Sequence, residues 1–111
     1  MIEWKEKKFQ ELTTKELYEI SRLRSEVFVL EQEILYNDFD RKDYKAIHLS
    51  GYKEEELVAY ARIFDKGDYY ENYPGFGRVV VIEKERGKGV GKDLVKTVSY
   101  THLTLPTIYS V

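Results

Sequence analysis

The stretch Gly77-Arg78-Val79-Val80-Val81-Ile82, followed closely by Arg86-Gly87-Lys88-Gly89-Val90-Gly91, decides the fold of this 111-residue chain. A β-branched run favours a strand, closely spaced glycines favour a loop, and Val90, Leu94 and Val95 recur at helical spacing. The segment therefore reads as strand, loop, helix. Glycine lets the backbone come close to a ligand, because no Cβ stands in the way. The start of the helix adds unpaired N–H groups and the positive end of its dipole. Together these features make an anion site that suits a diphosphate.

Two familiar phosphate loops do not fit the spelling. A P-loop requires Gly-x-x-x-x-Gly-Lys followed by Ser or Thr. Here Gly91-Lys92 is followed by Asp93, and Arg86 holds the first glycine position. A dinucleotide fingerprint requires Gly-x-Gly-x-x-Gly. After Gly87-Lys88-Gly89 the third glycine, Gly91, comes one residue early. What remains is Arg-x-x-Gly-x-Gly on a strand-to-helix turn.

Working outward, Trp4 to Phe9 alternates weakly and predicts a first strand. Thr13-Thr14-Lys15-Glu16 spells a capping box. It opens a helix expected to run to about Gln32, with Leu17, Ile20, Leu23, Val27 and Leu30 on one apolar stripe. Ile34 to Tyr44 is a mixed acidic and aromatic connection. Ala46 to Tyr52 and Leu57 to Phe64 form a hairpin around Glu54-Glu55-Glu56, with Ile47 and Leu49 sharing a face. Lys66 to Phe76 is a loop in which Tyr69, Tyr70 and Tyr73 suit surface packing. The last helix starts near Gly89 and is expected to be cut off near Lys96. This order of elements suits an α/β or α+β sandwich.

Composition narrows the function classes. The length allows one domain at most, and it is short for a complete core. The 18 basic and 20 acidic residues are well mixed, which gives no nucleic-acid footprint. No cysteine is present, so there is neither a disulfide framework nor thiolate chemistry, as fits a cytoplasmic protein. No apolar run approaches membrane-spanning length, and the start Met1-Ile2-Glu3-Trp4 is not a signal peptide.

The far end differs abruptly from the rest. Every charged residue precedes Thr97, in the middle of a helical pattern. Val98-Ser99-Tyr100-Thr101-His102-Leu103-Thr104-Leu105-Pro106-Thr107 resembles the translation of a transposase-based sequencing adaptor. On that resemblance, residues 1–96 are the natural part of the domain and 97–111 a non-native tail, to be set aside in fold reasoning.

The Arg86 to Gly91 loop resembles the acetyl-coenzyme A loop of the GNAT N-acetyltransferases. The resemblance widens across Leu23-Arg24-Ser25-Glu26-Val27-Phe28-Val29-Leu30-Glu31-Gln32, Tyr36, Asp38, Asp40, Asp43 and His48. It continues through Leu57-Val58-Ala59-Tyr60-Ala61-Arg62 and Gly77-Arg78-Val79-Val80-Val81. The whole series is similar to the ElaA-type branch of that superfamily, over about Phe9 to Lys96. One departure is Ile34-Leu35 before Tyr36, where the branch often carries Cys-Pro.

That resemblance implies the N-terminal part of a GNAT fold: a mixed, mostly antiparallel sheet with flanking helices, lacking the C-terminal strands. With those strands gone, the Val79-Val80-Val81 edge would be bare, and the apolar tail is expected to substitute for a strand beside it. The activity implied is acetyl transfer from acetyl-coenzyme A, as co-substrate and without a metal, to an amine of a small molecule or peptide. Backbone groups of Val79, Val80 and Val81 would pair with the pantetheine arm, and an N–H near Val81 would polarise the thioester carbonyl. Amides of Gly87, Lys88, Gly89, Val90, Gly91 and Lys92 would hold the pyrophosphate, and Arg86 would add charge there. No residue matches the tyrosine that protonates the departing thiolate in many relatives; Tyr100 belongs to the tail. The chain as it stands is expected to have little or no activity.

On the acceptor side, Glu31, Asp40, Asp43 and His48 are candidates to take the amine's proton. Each also has a plainer role: Glu31 on the helix's polar face, Asp40 and Asp43 as turn caps, His48 as a satisfied core histidine. Arg24 and Arg62 suit pairing with nearby carboxylates better than binding an acidic acceptor. Two other functions stay open. One is an acyl-homoserine-lactone-synthase-like enzyme, faintly echoed by Leu23 to Phe28 and Asp38-Phe39-Asp40. The other is a non-catalytic acyl-coenzyme A-binding or interaction domain. The resemblance also leaves room for a homodimer of the longer parent.

Overall fold

Inward and outward alternation on the hairpin strands sets the architecture. The computed structural model describes residues 1–31, 38–65, 67–69, 71, 74–102 and 108–109, without side chains at 29–31, 99–102 and 108–109. Strand β2 (Ile47–Lys53) and strand β3 (Glu56–Phe64) pair antiparallel with Lys53 opposite Glu56. Glu54 and Glu55 form the two-residue turn, at φ 51° and 69°. Strand β1 (Glu3–Lys8) adds antiparallel to β2, and strand β4 (Gly75–Val81) adds antiparallel to β3. The sheet order thus follows the chain, β1-β2-β3-β4.

Each face of this sheet carries one helix. Helix α1 (Thr14–Arg24) opens on the expected capping box: Thr13 Oγ1 accepts from the Glu16 amide at 3.0 Å, and Glu16 Oε1 accepts from the Thr13 amide at 2.8 Å. Ile20, Leu23 and Val27 from its apolar stripe pack on Tyr60 and Val80. Helix α2 (Val90–His102) covers the other face, where Val90, Leu94 and Val98 meet Leu49, Ala59, Ala61, Ile63 and Phe76. Burying a side chain such as Leu94 or Ile63 contributes roughly 1.5–3 kcal/mol.

Several expectations need correcting. The first helix stays helical as far as Glu31, close to the expected end, but it passes from α-helical into π-helical turns over Ser25–Glu31. Val27, Phe28 and Val29 are weak helix formers, so the tighter ladder gives way there. Gln32 and the Leu30 side chain lie outside the described residues. Leu17 is 36% exposed, because it sits on the flank of the stripe and walls a cavity instead of entering the core. Helix α2 is not cut off near Lys96. Val98 continues the stripe of Val90 and Leu94 and is fully buried, so packing carries the helix onward. The tail does add a short strand, β5 (Ile108–Tyr109), parallel to β4. Among the described residues it pairs with Gly75 and Phe76, not with Val79 to Val81.

A bulge in β4 separates those two regions. Tyr60 stands opposite Val80, yet Arg62 stands opposite Gly77, so β4 carries one extra residue between them. Arg78 there adopts φ 50°. An inserted residue reverses the alternation, which is why Phe76 and Val81 both reach the α2 face.

Candidate functional site

Beyond the bulge, the outer edge of β4 carries a directed pair of backbone groups. The Ile82 amide donates to the Val58 carbonyl at 2.9 Å. In an antiparallel ladder the neighbouring pair, Ala59 and Val81, then turns its polar groups away from the shared seam. The N–H and C=O of Val81 therefore face the open edge. Arg86 Nε donates to that carbonyl at 2.8 Å, which leaves the Val81 amide on the edge beside it.

The loop after β4 brings a second set of amides to the same place. Gly87 and Gly89 adopt φ 81° and 84°, a conformation that side chains resist. The Asp93 amide donates to the Gly89 carbonyl, and this closes the first turn of α2. The amides of Val90, Gly91 and Lys92 consequently have no acceptor within the helix. A Cβ built on Gly91 would lie 3.8 Å from Val81 Cγ2, so this helix start packs on the Val81 side chain. Lys88 pairs with Glu85 at 3.6 Å, and Lys53 reaches the same carboxylate at 3.2 Å. Val79 is 39% exposed, whereas Val80 is buried against α1.

The acceptor-side candidates fall into a buried ionic network on the α1 face. Arg62, fully buried, grips Asp40 with two hydrogen bonds of 2.9 and 2.8 Å and reaches Asp43 Oδ1 at 3.1 Å. Arg24 donates to Asp38 Oδ2 and to Asp43 Oδ1, both at 2.8 Å, and to the Asp38 carbonyl. Arg78, raised on the bulge, donates to Asp38 Oδ1 at 2.8 Å. Arg24 and Arg62 thus pair with carboxylates, as expected. The Arg62 hydrogen bonds pull the Asp40 carboxyl down to about 2, against a lesser opposing effect of burial.

His48 is a satisfied histidine. Its Nε2 lies 3.0 Å from the Asp43 carbonyl, which can only accept, so Nε2 carries the proton. Its Nδ1 then accepts from the Tyr60 hydroxyl at 2.6 Å. Burial pushes the imidazole below its usual range and the Tyr60 hydroxyl above its own. The Glu31 side chain lies outside the described residues. Sequence reasoning did not assign Arg78 or Tyr60 to this network. An arginine at an inward position between Tyr60 and Phe64 was the available signal, since a buried charge must be paired. Among the described residues, no group of three His, Asp or Glu side chains could hold a metal ion.

Comparison with known proteins places the chain in a family. The chain belongs to the acetyltransferase (GNAT) family, whose model matches residues 7–101. It is 43% identical over 97 residues to Protein ElaA of Escherichia coli, covering 86% of this chain and 63% of that protein. The crystal structure of Escherichia coli ElaA superposes with a TM-score of 0.83 at 37% identity, over 97% of this chain and 77% of that one. An acyl-CoA N-acyltransferase from Pseudomonas aeruginosa gives 0.84 at 32% identity, over 97% and 78% of the two chains. The chain spans less than two thirds of the length of the curated relatives it matches, and the GNAT fold is partial in it.

Proposed function

We propose that the parent protein is an N-acetyltransferase that moves an acetyl group from acetyl-coenzyme A to an amine of a small molecule or peptide. The observation that carries this reading is the outward-facing Val81 amide, followed by a helix start whose Val90, Gly91 and Lys92 amides have no acceptor within the helix. Acetyl-coenzyme A supplies the activated acyl group; the amine nitrogen bonds to its carbonyl carbon while the carbon–sulfur bond breaks. The Val81 amide suits the carbonyl oxygen as it gains charge, a contribution of roughly 10²- to 10³-fold in rate for one such donor. The amides of Gly87 to Lys92 suit a pyrophosphate, and Arg86, moored on Val81, holds that loop against the strand.

Asp40 and His48 fit this reading as supports of the acceptor side. A carboxylate with a pKa of about 2 takes a proton poorly at neutral pH, and both His48 nitrogens are engaged. We also read residues 1–96 as part of the GNAT domain and 97–111 as an adaptor-derived tail. The uncharged composition of that tail supports this, and sequencing the source DNA past codon 96 tests it. Among the described residues no helix is long and apolar enough to cross a membrane; with no cysteine in the chain, we place the protein in the cytoplasm.

The direct test measures thiol release from acetyl-coenzyme A by the product of the complete gene, across a panel of polyamines, amino acids and peptides. Release that depends on one amine class supports the reading. Coenzyme A binding without acetylation of any amine would favour a binding domain, and no binding at all would remove the family's chemistry from this protein.

A further inference from the structure

A cavity of about 350 Å³ opens between α1 and the helical turn Lys42–Tyr44, with His48 of β2 at its floor. It shares no lining residue with the Val79 to Lys92 edge, but the acceptor-side candidates Asp43 and His48 line it, so the inference adjoins the acyl-transfer reading while its binding test needs no coenzyme A. Its walls are apolar: Phe9 and Tyr44 meet edge to face at 4.9 Å, and Leu17 stands beside them on α1. A mostly apolar pocket of this size with a few converging polar groups is the usual form of a small-molecule site.

The polar groups are of opposite sign. Asp43 is 7% exposed, and its Oδ1 accepts from both Arg24 and Arg62. Its Oδ2 has no donor among the described residues. No fully buried side-chain oxygen there lacks a partner, so Oδ2 reaches the cavity surface. Arg41 stands exposed at the mouth and makes no ion pair among the described residues. Its backbone adopts φ 68°, unusual for a bulky side chain, and this turn sets it two residues before Asp43.

A lone cation would meet Arg24 and Arg41, and a lone anion would meet Asp43. We propose that this cavity binds a free, apolar α-amino acid. The ammonium sits on Asp43 Oδ2, the carboxylate on Arg41, and the side chain against Phe9, Leu17 and Tyr44. Both charges of such a ligand find an opposite charge, and its body finds an apolar wall.

The test uses the full chain and three probes in ligand-observed NMR titrations: L-phenylalanine, L-phenylalaninamide, which lacks the carboxylate, and 3-phenylpropionate, which lacks the ammonium. L-phenylalanine is expected to bind, and each analogue to bind about tenfold or more weakly, as losing a charge-assisted hydrogen bond implies. Arg41→Gln should weaken L-phenylalanine by a similar factor and leave the amide unchanged. Arg41 is exposed, so this variant keeps its fold. Asp43→Asn disturbs two buried arginines, and 3-phenylpropionate probes that end without it. Equal binding of all three probes, binding of none, or an Arg41→Gln affinity for L-phenylalanine equal to that of the parent chain would each overturn the proposal.

Discussion

Arg86 Nε donates to the carbonyl oxygen of Val81 across 2.8 Å and so ties the glycine loop to the strand edge before it. The consequence is a division of labour within one peptide plane and its neighbour. The Val81 carbonyl is taken by the loop, and the Val81 amide is left facing outward. A cationic side chain that sequence alone suggests as a phosphate contact thus serves first as a mooring for the helix start.

The loop glycines should respond in opposite directions to alanine. Gly89 adopts φ 84° with open space around it, so Gly89→Ala creates backbone strain but no clash. The expected loss is about 1–2 kcal/mol. Gly91 lies in α2, and its added methyl would meet Val81 Cγ2 at an ordinary 3.8 Å. Gly91→Ala should therefore gain about 0.5–1 kcal/mol from helix propensity. If the amide cradle holds coenzyme A, Gly91→Ala should weaken that binding while raising stability. Denaturant unfolding alongside coenzyme A titration separates the two effects; a parallel rise in both would contradict the cradle.

Gly51 offers a test with a built-in reporter. A Cβ there would fall 2.5 Å from Trp4 Cζ3 and 3.0 Å from Ile2 Cγ2. The indole must move, since Trp4 stands at the register position opposite Gly51 and its ring lies within 2.9 Å of the built Cβ at two atoms. Gly51→Ala should cost roughly 1–3 kcal/mol, as overpacking does. Trp4 is the only tryptophan, so its emission should shift to the red in the folded state. Unchanged emission and stability would show that the indole adapts at no cost.

The strand–loop–helix unit was legible because β-branched residues, glycines and an apolar stripe each have a local physical preference. The capping box at Thr13 and the hairpin around Glu54 were legible for the same reason. The bulge at Arg78 was not, because a left-handed arginine carries no glycine to mark it; only the pairing with β3 forces it. The network was half legible. Arg24 and Arg62 could be assigned to carboxylates in general, but which of Asp38, Asp40 and Asp43 each takes depends on how α1 and the Lys42–Tyr44 turn meet over β3. The extension of α2 past Lys96 also came from packing, through Val98, and not from the local pattern.

The hairpin turn leaves stability unclaimed. Glu54 and Glu55 both adopt positive φ in a two-residue loop, where Asn-Gly is strongly favoured. Replacing Glu54-Glu55 by Asn-Gly should stabilise the protein by about 1–2 kcal/mol by relieving left-handed strain. Thermal unfolding gives the readout. A fall in midpoint would mean that the two glutamates make contacts that outweigh the strain.

Acid should destabilise this fold in two stages, to which His48 and then Asp40 contribute, with Glu16 and Glu85, also lowered by their lysine partners, adding to the second. His48 is held neutral by burial, with its pKa below the ordinary 6.5. As pH falls through 6.5 the unfolded chain gains a proton that the folded chain does not take, so stability declines from there. Asp40 titrates at about 2 in the folded state and near 3.8 when free of Arg62. As pH falls through 3.8 the unfolded state again binds more protons, and the second decline continues until about 2. Asp40→Asn removes Asp40's share of that second stage and one of the two carboxylates gripped by Arg62. It should cost about 1–3 kcal/mol at pH 7, with a penalty that shrinks as pH falls from 4 towards 2, where the parent carboxyl is itself protonated. Urea unfolding at pH 7, 5 and 3 traces both curves. Parallel curves for parent and variant down to pH 3 would show that Asp40 does not draw its ionisation from Arg62.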